Sequence, residues 1–219
     1  MTTQKNTLHL LKFMLCMICF CVCVQSFSKT HSSIKQKRAE ALYNQAVTAM
    51  RSQKNAQAIK LLTQAGELGH IDAQNDLGLL YQSGMMVPQD YKRAMQWYKK
   101  AASKNYIPAM FNIGLMYHKG LGVSQDYKRA RIWFLRAAKL NDADAQYNLG
   151  VMHHQGLGVK MNHKEAYIWF SLSAINGSKK GLDARDRVAV DLDLKTIAEA
   201  DKTTKAQYDE FLLNQKKLK

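Results

Sequence analysis

Four cysteines and seven histidines are among the side chains of this sequence that could bind a metal ion or act in catalysis. The cysteines are spaced like C-x-x-C and C-x-C zinc ligands, but no set of histidines or further cysteines accompanies them. Two histidines, His118 and His154, lie 36 residues apart without a carboxylate or cysteine at ligand spacing. We therefore expect no metal site, no catalytic site and no bound cofactor, and we expect the protein not to be an enzyme. The four cysteines are Cys16, Cys19, Cys21 and Cys23.

Recurrent glycines and tryptophans could also be mistaken for ligand sites. The G-x-G-V glycines follow a predicted helix and not a strand, so they lack the context that a phosphate-binding loop requires. Each of Trp97, Trp133 and Trp169 has an alanine three residues before it and another four or five residues after it on the same predicted helix. We expect these three rings to pack in the core.

The elements that would position these residues follow a unit of 36 residues, of which residues 109–144 are one copy. A fixed period of this size is typical of a solenoid in which each unit packs on its neighbours. Residues that recur at this interval include Ala73, Ala109 and Ala145; Gly78, Gly114 and Gly150; and Gly84, Gly120 and Gly156.

Each unit has the pattern of a helix, a short loop and a second helix. Residues 109–118 carry apolar side chains at helical spacing, and Gly120 follows at the point where a helix end favours positive φ. Asp126 precedes a second amphipathic run and can accept its first backbone N–H groups. The glycine inside each first helix suggests that another helix backbone or a tryptophan passes close to it. Four further helix ends are predicted at Gly69, Asn105, Asn141 and Gly177.

The pattern A-x-x-N/D-L/I-G-x-x-Y/H-x-x-G-x-G-V-x-x-D-Y-K-x-A-x-x-W resembles the Sel1-like repeat, a relative of the tetratricopeptide repeat. The match is strong over residues 73–180 and weak over residues 39–72. Met86 departs from the pattern because it stands where the other repeats have glycine. The resemblance implies an all-α fold, a right-handed α-solenoid of helix-turn-helix repeats with a C-terminal helical cap. It also implies a protein that binds other proteins without doing chemistry.

The N-terminus resembles a secretory signal peptide. Residues 13–24 form an uninterrupted apolar run behind Lys5 and Lys12, and small polar residues follow it. The run is shorter than the roughly 20 residues that a membrane span requires, so we expect cleavage and a periplasmic or secreted protein. An uncleaved anchor is the alternative, because lysines and an arginine within residues 29–38 would hinder translocation.

The predicted organisation places a signal peptide at residues 1–28 and a flexible linker at residues 29–38. A degenerate repeat follows at residues 39–72, and three repeats occupy residues 73–108, 109–144 and 145–180. Residues 181–219 form a helical cap with a basic, frayed tail, in which Leu182, Arg185, Val188 and Ala189 suggest one helix and Asp193 caps another.

Charge suggests a second kind of partner. The net charge of +15 becomes +13 without residues 1–28, which contain two lysines and no acidic residue. A positive net charge of this size favours binding to anionic surfaces. The alternative is that the lysines and arginines only keep the exposed faces of the second helices solvated. We expect no specific nucleic-acid partner.

The candidate binding site is a stripe on the first helices, which we call the first-helix stripe. Spacing of i, i+4 and i+7 places each of its two trios on one helix face. Its aromatic, aliphatic and imidazole side chains suit a groove for a peptide or a helix, while burial between adjacent repeats is the alternative. The stripe consists of Phe111, Leu115 and His118, and of Tyr147, Val151 and His154; its counterpart in the preceding repeat is Asn75, Leu79 and Gln82.

Three functional hypotheses follow. The favoured one is an exported adaptor that binds a protein in the bacterial envelope or at a host interface. A basic surface protein that binds an anionic polymer or membrane is the second. An envelope enzyme of the β-lactam-binding repeat type is the third, and the absence of cysteines after residue 23 counts against it.

Overall fold

The computed structural model describes residues 32–217, and these residues form helices and connecting loops without a strand. The predicted signal peptide lies outside the described residues. Within residues 32–217, no helix has both the length and the apolar character that a membrane crossing demands. The chain divides into two compact units, residues 1–73 and 74–219.

The described part contains ten helices. Helix α1 covers residues 32–51. The others are α2 (Asn55–Glu67), α3 (Ile71–Ser83), α4 (Tyr91–Ala102), α5 (Ile107–Lys119), α6 (Tyr127–Ala138), α7 (Ala143–Gln155), α8 (His163–Ile175), α9 (Lys179–Ala189) and α10 (Leu194–Lys217). The all-helical fold of repeated helix pairs is the one predicted.

The first unit is built around buried apolar side chains of α1 and α2, most of which are alanines. Ala46 and Leu62 are among its fully buried residues. His70 stacks on the ring of Tyr43 with a centroid distance of 4.2 Å, and its Nε2 lies 2.9 Å from a carboxylate oxygen of Glu40. The flexible linker predicted for residues 29–38 is wrong over residues 32–38, which are helical. The side chains of residues 32–38 are exposed, so their polar composition reflects a solvent-facing helix and not an irregular backbone.

In the second unit, each helix from α4 to α8 packs on the next, and α10 packs on α8. The predicted caps are confirmed: Asp126 Oδ1 accepts the Arg129 N–H at 2.9 Å, and Gly120 ends α5 with a φ of 70°. All four predicted helix stops have positive φ. Met86 does too, with a φ of 63°, so its loop keeps the backbone conformation of the glycine-containing repeats.

The glycines inside the first helices make room for aromatic rings of the second helices. A Cβ added at Gly114 would lie 2.6 Å from Phe134, and one at Gly150 would lie 2.5 Å from Phe170. Gly78 meets Tyr98 in the same way. The rings come from the residue after each tryptophan, so the expectation of a backbone or a tryptophan at this contact was wrong.

The tryptophans, which were expected in the core, are half-buried, and Trp169 packs against the core cluster around α8. Cations cover two of them from three residues further along the same helix. Lys100 Nζ lies 3.9 Å from the centroid of a Trp97 ring, and Arg136 Cζ lies 4.7 Å from that of Trp133. The fully buried aromatic residue at this level of each helix is the next one, as Phe134 shows.

Helices α9 and α10 pack against α8 and bury its outer side. Lys164 pairs with Glu199 at 2.6 Å, and the Tyr167 hydroxyl donates to Asp201 at 3.0 Å. The four residues that suggested one helix, Leu182, Arg185, Val188 and Ala189, all lie in α9, where Leu182 is 40% exposed. The buried face carries Gly181, Ala184 and Val188, and α10 remains helical through Lys217 where fraying was expected.

Candidate functional site

The first-helix stripe lies on α5 and α7, with its counterpart on α3. All six predicted side chains are half-buried, so each one is partly covered and partly open to solvent. Leu79, the central counterpart on α3, is 44% exposed. The six predicted residues therefore share the same degree of burial, and they lie on α5 and α7, which are the first helices of successive repeats.

Phe111 and Tyr147 occupy equivalent positions and are held in the same way. Phe111 packs on Phe134 with ring centroids 5.7 Å apart and planes at 45°, and Tyr147 packs on Phe170 at 5.5 Å and 45°. Phe134 is fully buried and Phe170 is 2% exposed. Each stripe ring therefore rests on a buried ring of the second helix, and this contact restricts the rotamers that the stripe ring can adopt before any partner arrives.

His118 and His154 also contact the second helix of their own repeat. The His118 ring meets Tyr127 edge-on at a centroid distance of 5.3 Å, and the His154 ring lies 5.1 Å from His163. Burial, together with the charge of Lys119, lowers the pKa of His118 below its ordinary value of 6.5. His118 is therefore neutral at pH 7 and can act as a hydrogen-bond donor or acceptor without carrying charge.

The counterpart on α3 is more polar, and it too contacts an aromatic residue of the second helix in its own repeat. The Tyr98 hydroxyl donates to Gln82 Oε1 at 2.7 Å, in the space that imidazole rings occupy in the next two repeats. Burial raises the pKa of the Tyr98 phenol, so it remains a donor. Asn112 on α5 donates to Asn75 on α3 at 3.5 Å and links neighbouring first helices.

The stripe can offer three kinds of contact to a partner: aromatic rings at Phe111 and Tyr147, aliphatic side chains at Leu115 and Val151, and the half-buried imidazole rings of His118 and His154. The His118 ring faces Tyr127, and the His154 ring faces His163, whose Nδ1 lies 3.7 Å from a carboxylate oxygen of Asp191. No group of three or more potential metal ligands was found within residues 32–217. The arrangement suits binding by shape and apolar contact.

The supporting rings at Phe134 and Phe170 were not recognised in the sequence as part of this site. Their signal was available, because an aromatic residue follows the tryptophan at positions 98, 134 and 170, at the repeat interval. The prediction placed the tryptophan in the core because it has the larger ring, and the neighbouring aromatic residue was not considered.

Comparison with known families agrees with the repeat period. The model for the Sel1 repeat matches four consecutive stretches, residues 50–70, 71–106, 107–142 and 143–178. The chain belongs to the Sel1 repeat family. Sel1 repeat proteins are generally protein-interaction scaffolds and are typically non-catalytic. The matched stretches begin two residues before the predicted full repeats, at the observed start of each first helix.

Two solved structures are similar in fold. The protective antigen c5321 of uropathogenic Escherichia coli, which displays an SLR fold, is 28% identical with a TM-score of 0.71 over 85% of this chain and 42% of its own. A Sel1 repeat protein from Oxalobacter formigenes is 33% identical with a TM-score of 0.59 over 64% of this chain and 57% of its own. The chain therefore spans about half the length of these relatives. Among curated proteins, no sequence matches it.

Proposed function

We propose that this Sel1 repeat protein is an exported adaptor whose first-helix stripe binds a peptide or helix of a protein partner. The observation that carries the proposal is the pairing of half-exposed Phe111 and Tyr147 with buried rings behind them. A ring held in one rotamer loses little conformational entropy when a partner covers it. Rigid aromatic residues of this kind are the usual anchors of protein interfaces.

Export is the second part of the proposal. It is supported by the predicted signal peptide at residues 1–28 and by the similarity to a protein described as a protective antigen. The site of action would be the bacterial envelope or a host interface. Fractionation with N-terminal sequencing tests this: we expect a periplasmic or released protein whose first residue lies between positions 27 and 29. An intact N-terminus in the cytoplasmic fraction would refute it.

Partner binding is tested by crosslinking capture from native cells with the full chain. We expect the variant Phe111→Ala plus Tyr147→Ala to lose a protein that the unchanged chain captures. A matched control, Gln96→Ala plus Ile132→Ala, alters two exposed residues at equivalent positions of α4 and α6. Circular dichroism and melting of both variants separate loss of binding from loss of fold. Equal capture by both variants would refute the stripe as a binding site.

A basic surface is a second candidate, favoured by the composition of α4 and α6. Neither helix contains an acidic residue, and together they carry eight lysines and arginines. Two of these, Arg93 and Arg129, pair with the capping aspartates Asp90 and Asp126. This surface would bind an anionic polymer or membrane, and its binding would weaken steeply with salt. Binding of anionic vesicles that does not change with salt would exclude this electrostatic mode.

A further inference from the structure

A cavity of about 620 Å³ lies in the second unit between α6, α8 and the last turns of α10. Its apolar wall includes Leu135, Trp169, Leu172 and Phe211, and its polar wall includes Glu210. The volume lies within the range of roughly 300–1,000 Å³ that is usual for small-molecule binding sites. None of these residues belongs to the first-helix stripe, so the cavity is a separate feature.

The repeat pattern indicates which kind of group this cavity accepts. In the two preceding repeats the residue three positions after the tryptophan is a cation, and it covers the tryptophan ring. The pairs are Trp97 with Lys100 and Trp133 with Arg136. In each pair the positively charged group lies over the face of the indole ring, whose quadrupole attracts it. The ring face is therefore not available to another cation.

The last repeat lacks this cation. Leu172 stands three residues after Trp169, is 4% exposed, and lines the cavity together with that ring. Within residues 32–217, no lysine or arginine lies over the Trp169 ring as Arg136 lies over Trp133. The position that a cation occupies in the other two repeats is therefore held by a buried apolar side chain at the wall of the cavity.

Charge and hydrogen-bonding groups at the cavity suit an incoming cation. Glu210 supplies a carboxylate from α10, and amide side chains such as Gln207 and Asn214 add acceptors. Lys139 also lines the cavity from the end of α6, so one wall carries a positive charge. A flat cation that stacks on a ring while donating to a carboxylate suits this mixture better than a compact ammonium group does.

We propose that this cavity binds an arginine side chain presented by a protein partner, with the guanidinium stacked on Trp169 and donating hydrogen bonds to Glu210. Phe211 closes the opposite end and covers the aliphatic part of the arginine. The site lies between α6, α8 and α10 and does not depend on the proposed role of the first-helix stripe.

The experiment follows the three tryptophan indole N–H signals of the full chain by NMR, after assignment with single Trp→Phe variants. The probes are N-acetyl-arginine methylamide and its uncharged isostere N-acetyl-citrulline methylamide. We expect the arginine compound to shift only the Trp169 signal, with a dissociation constant on the order of 1 mM. The citrulline compound should bind about fivefold more weakly or worse. Trp97 and Trp133 serve as internal controls because cations already cover them.

Two charge-matched variants test the carboxylate. Glu210→Gln should weaken binding of the arginine compound several-fold, while Asp209→Asn, on the same helix but outside the cavity lining, should not. Equal shifts of all three indole signals, equal affinity for the two compounds, or no saturable shift at about fifty times the expected constant would overturn the proposal.

Discussion

Gly114→Ala is the substitution whose outcome depends most on the contact between the paired helices. In an isolated helix this change stabilises by about 1 kcal/mol, because alanine has the higher helix propensity. Here the new Cβ would lie 2.6 Å from two atoms of the Phe134 ring, whereas carbon atoms in contact are normally about 3.5–4.0 Å apart. The ring would have to move by about 1 Å to restore that spacing.

Phe134 has little room for such a movement. Its side chain is fully buried, and Phe111 packs on it from the side of the stripe. Overpacking of this kind usually costs about 1–3 kcal/mol, and we place Gly114→Ala at the upper end because a ring and not a flexible tip is displaced. After the propensity gain, we expect a net loss of about 2 kcal/mol.

A double-mutant cycle with Phe134→Leu isolates this contact. The smaller side chain removes the overlap, so Gly114→Ala in that background should be neutral or stabilising by up to about 1 kcal/mol, with a coupling energy of about 2–3 kcal/mol. Urea unfolding followed by circular dichroism provides the four free energies. Gly150→Ala, whose Cβ would lie 2.5 Å from Phe170, should show the same cost. A single Gly114→Ala variant that is more stable than the unchanged chain would refute the reasoning.

Three further predictions concern caps, backbone strain and pH. Asp126→Ala should destabilise by about 1 kcal/mol, because it removes the acceptor of the Arg129 N–H. Met86→Gly should stabilise by roughly 1 kcal/mol, since a left-handed conformation costs a side-chain-bearing residue about 1–2 kcal/mol and part of the gain is lost to unfolded-state entropy. The lowered pKa of His118 means that the folded state binds fewer protons than the unfolded one below pH 6.5, so stability should fall as the pH drops through this range. His118→Gln should reduce that fall.

Urea denaturation also measures these three effects, at pH 7.5 for the first two and from pH 7.5 to 5 for the third. Asp126→Asn is the control for the cap, because asparagine can still accept the N–H and should retain most of the stability. For Met86, substitution by Ala keeps the strain and should not stabilise. An unchanged slope with pH in His118→Gln would show that other groups cause the acid loss of stability.

The helix ends and the repeat period could be predicted because they depend on residues close together in the sequence. Gly120 and Asp126 act on the backbone within one turn of their own position, so their chemistry was sufficient to place a stop and a start. The same reasoning could not predict which aromatic ring of each second helix is buried. Consecutive helix residues differ by about 100° around the axis, and only the neighbouring helix decides whether Trp133 or Phe134 points inward.

The candidate site was predictable in part for the same reason. Helical spacing placed Phe111, Leu115 and His118 on one face, but the degree of burial depends on what packs beside them. The cavity at Trp169 was not predictable, because it forms only when α10 crosses α8 and reaches the end of α6. Nothing within a single 36-residue unit contains that information.

Site-specific photocrosslinking tests partner binding at the stripe most directly. A photoreactive amino acid is placed at Leu115, Val151 or Ile132 of the full chain, expressed in its native cells. Ile132 is the matched control, being an apolar residue that is 48% exposed on a second helix. We expect one protein to be crosslinked from positions 115 and 151 and not from position 132, and to disappear when Phe111 and Tyr147 are both changed to Ala. Crosslinks from position 132 alone, or the same products from all three positions, would contradict partner binding at the first-helix stripe.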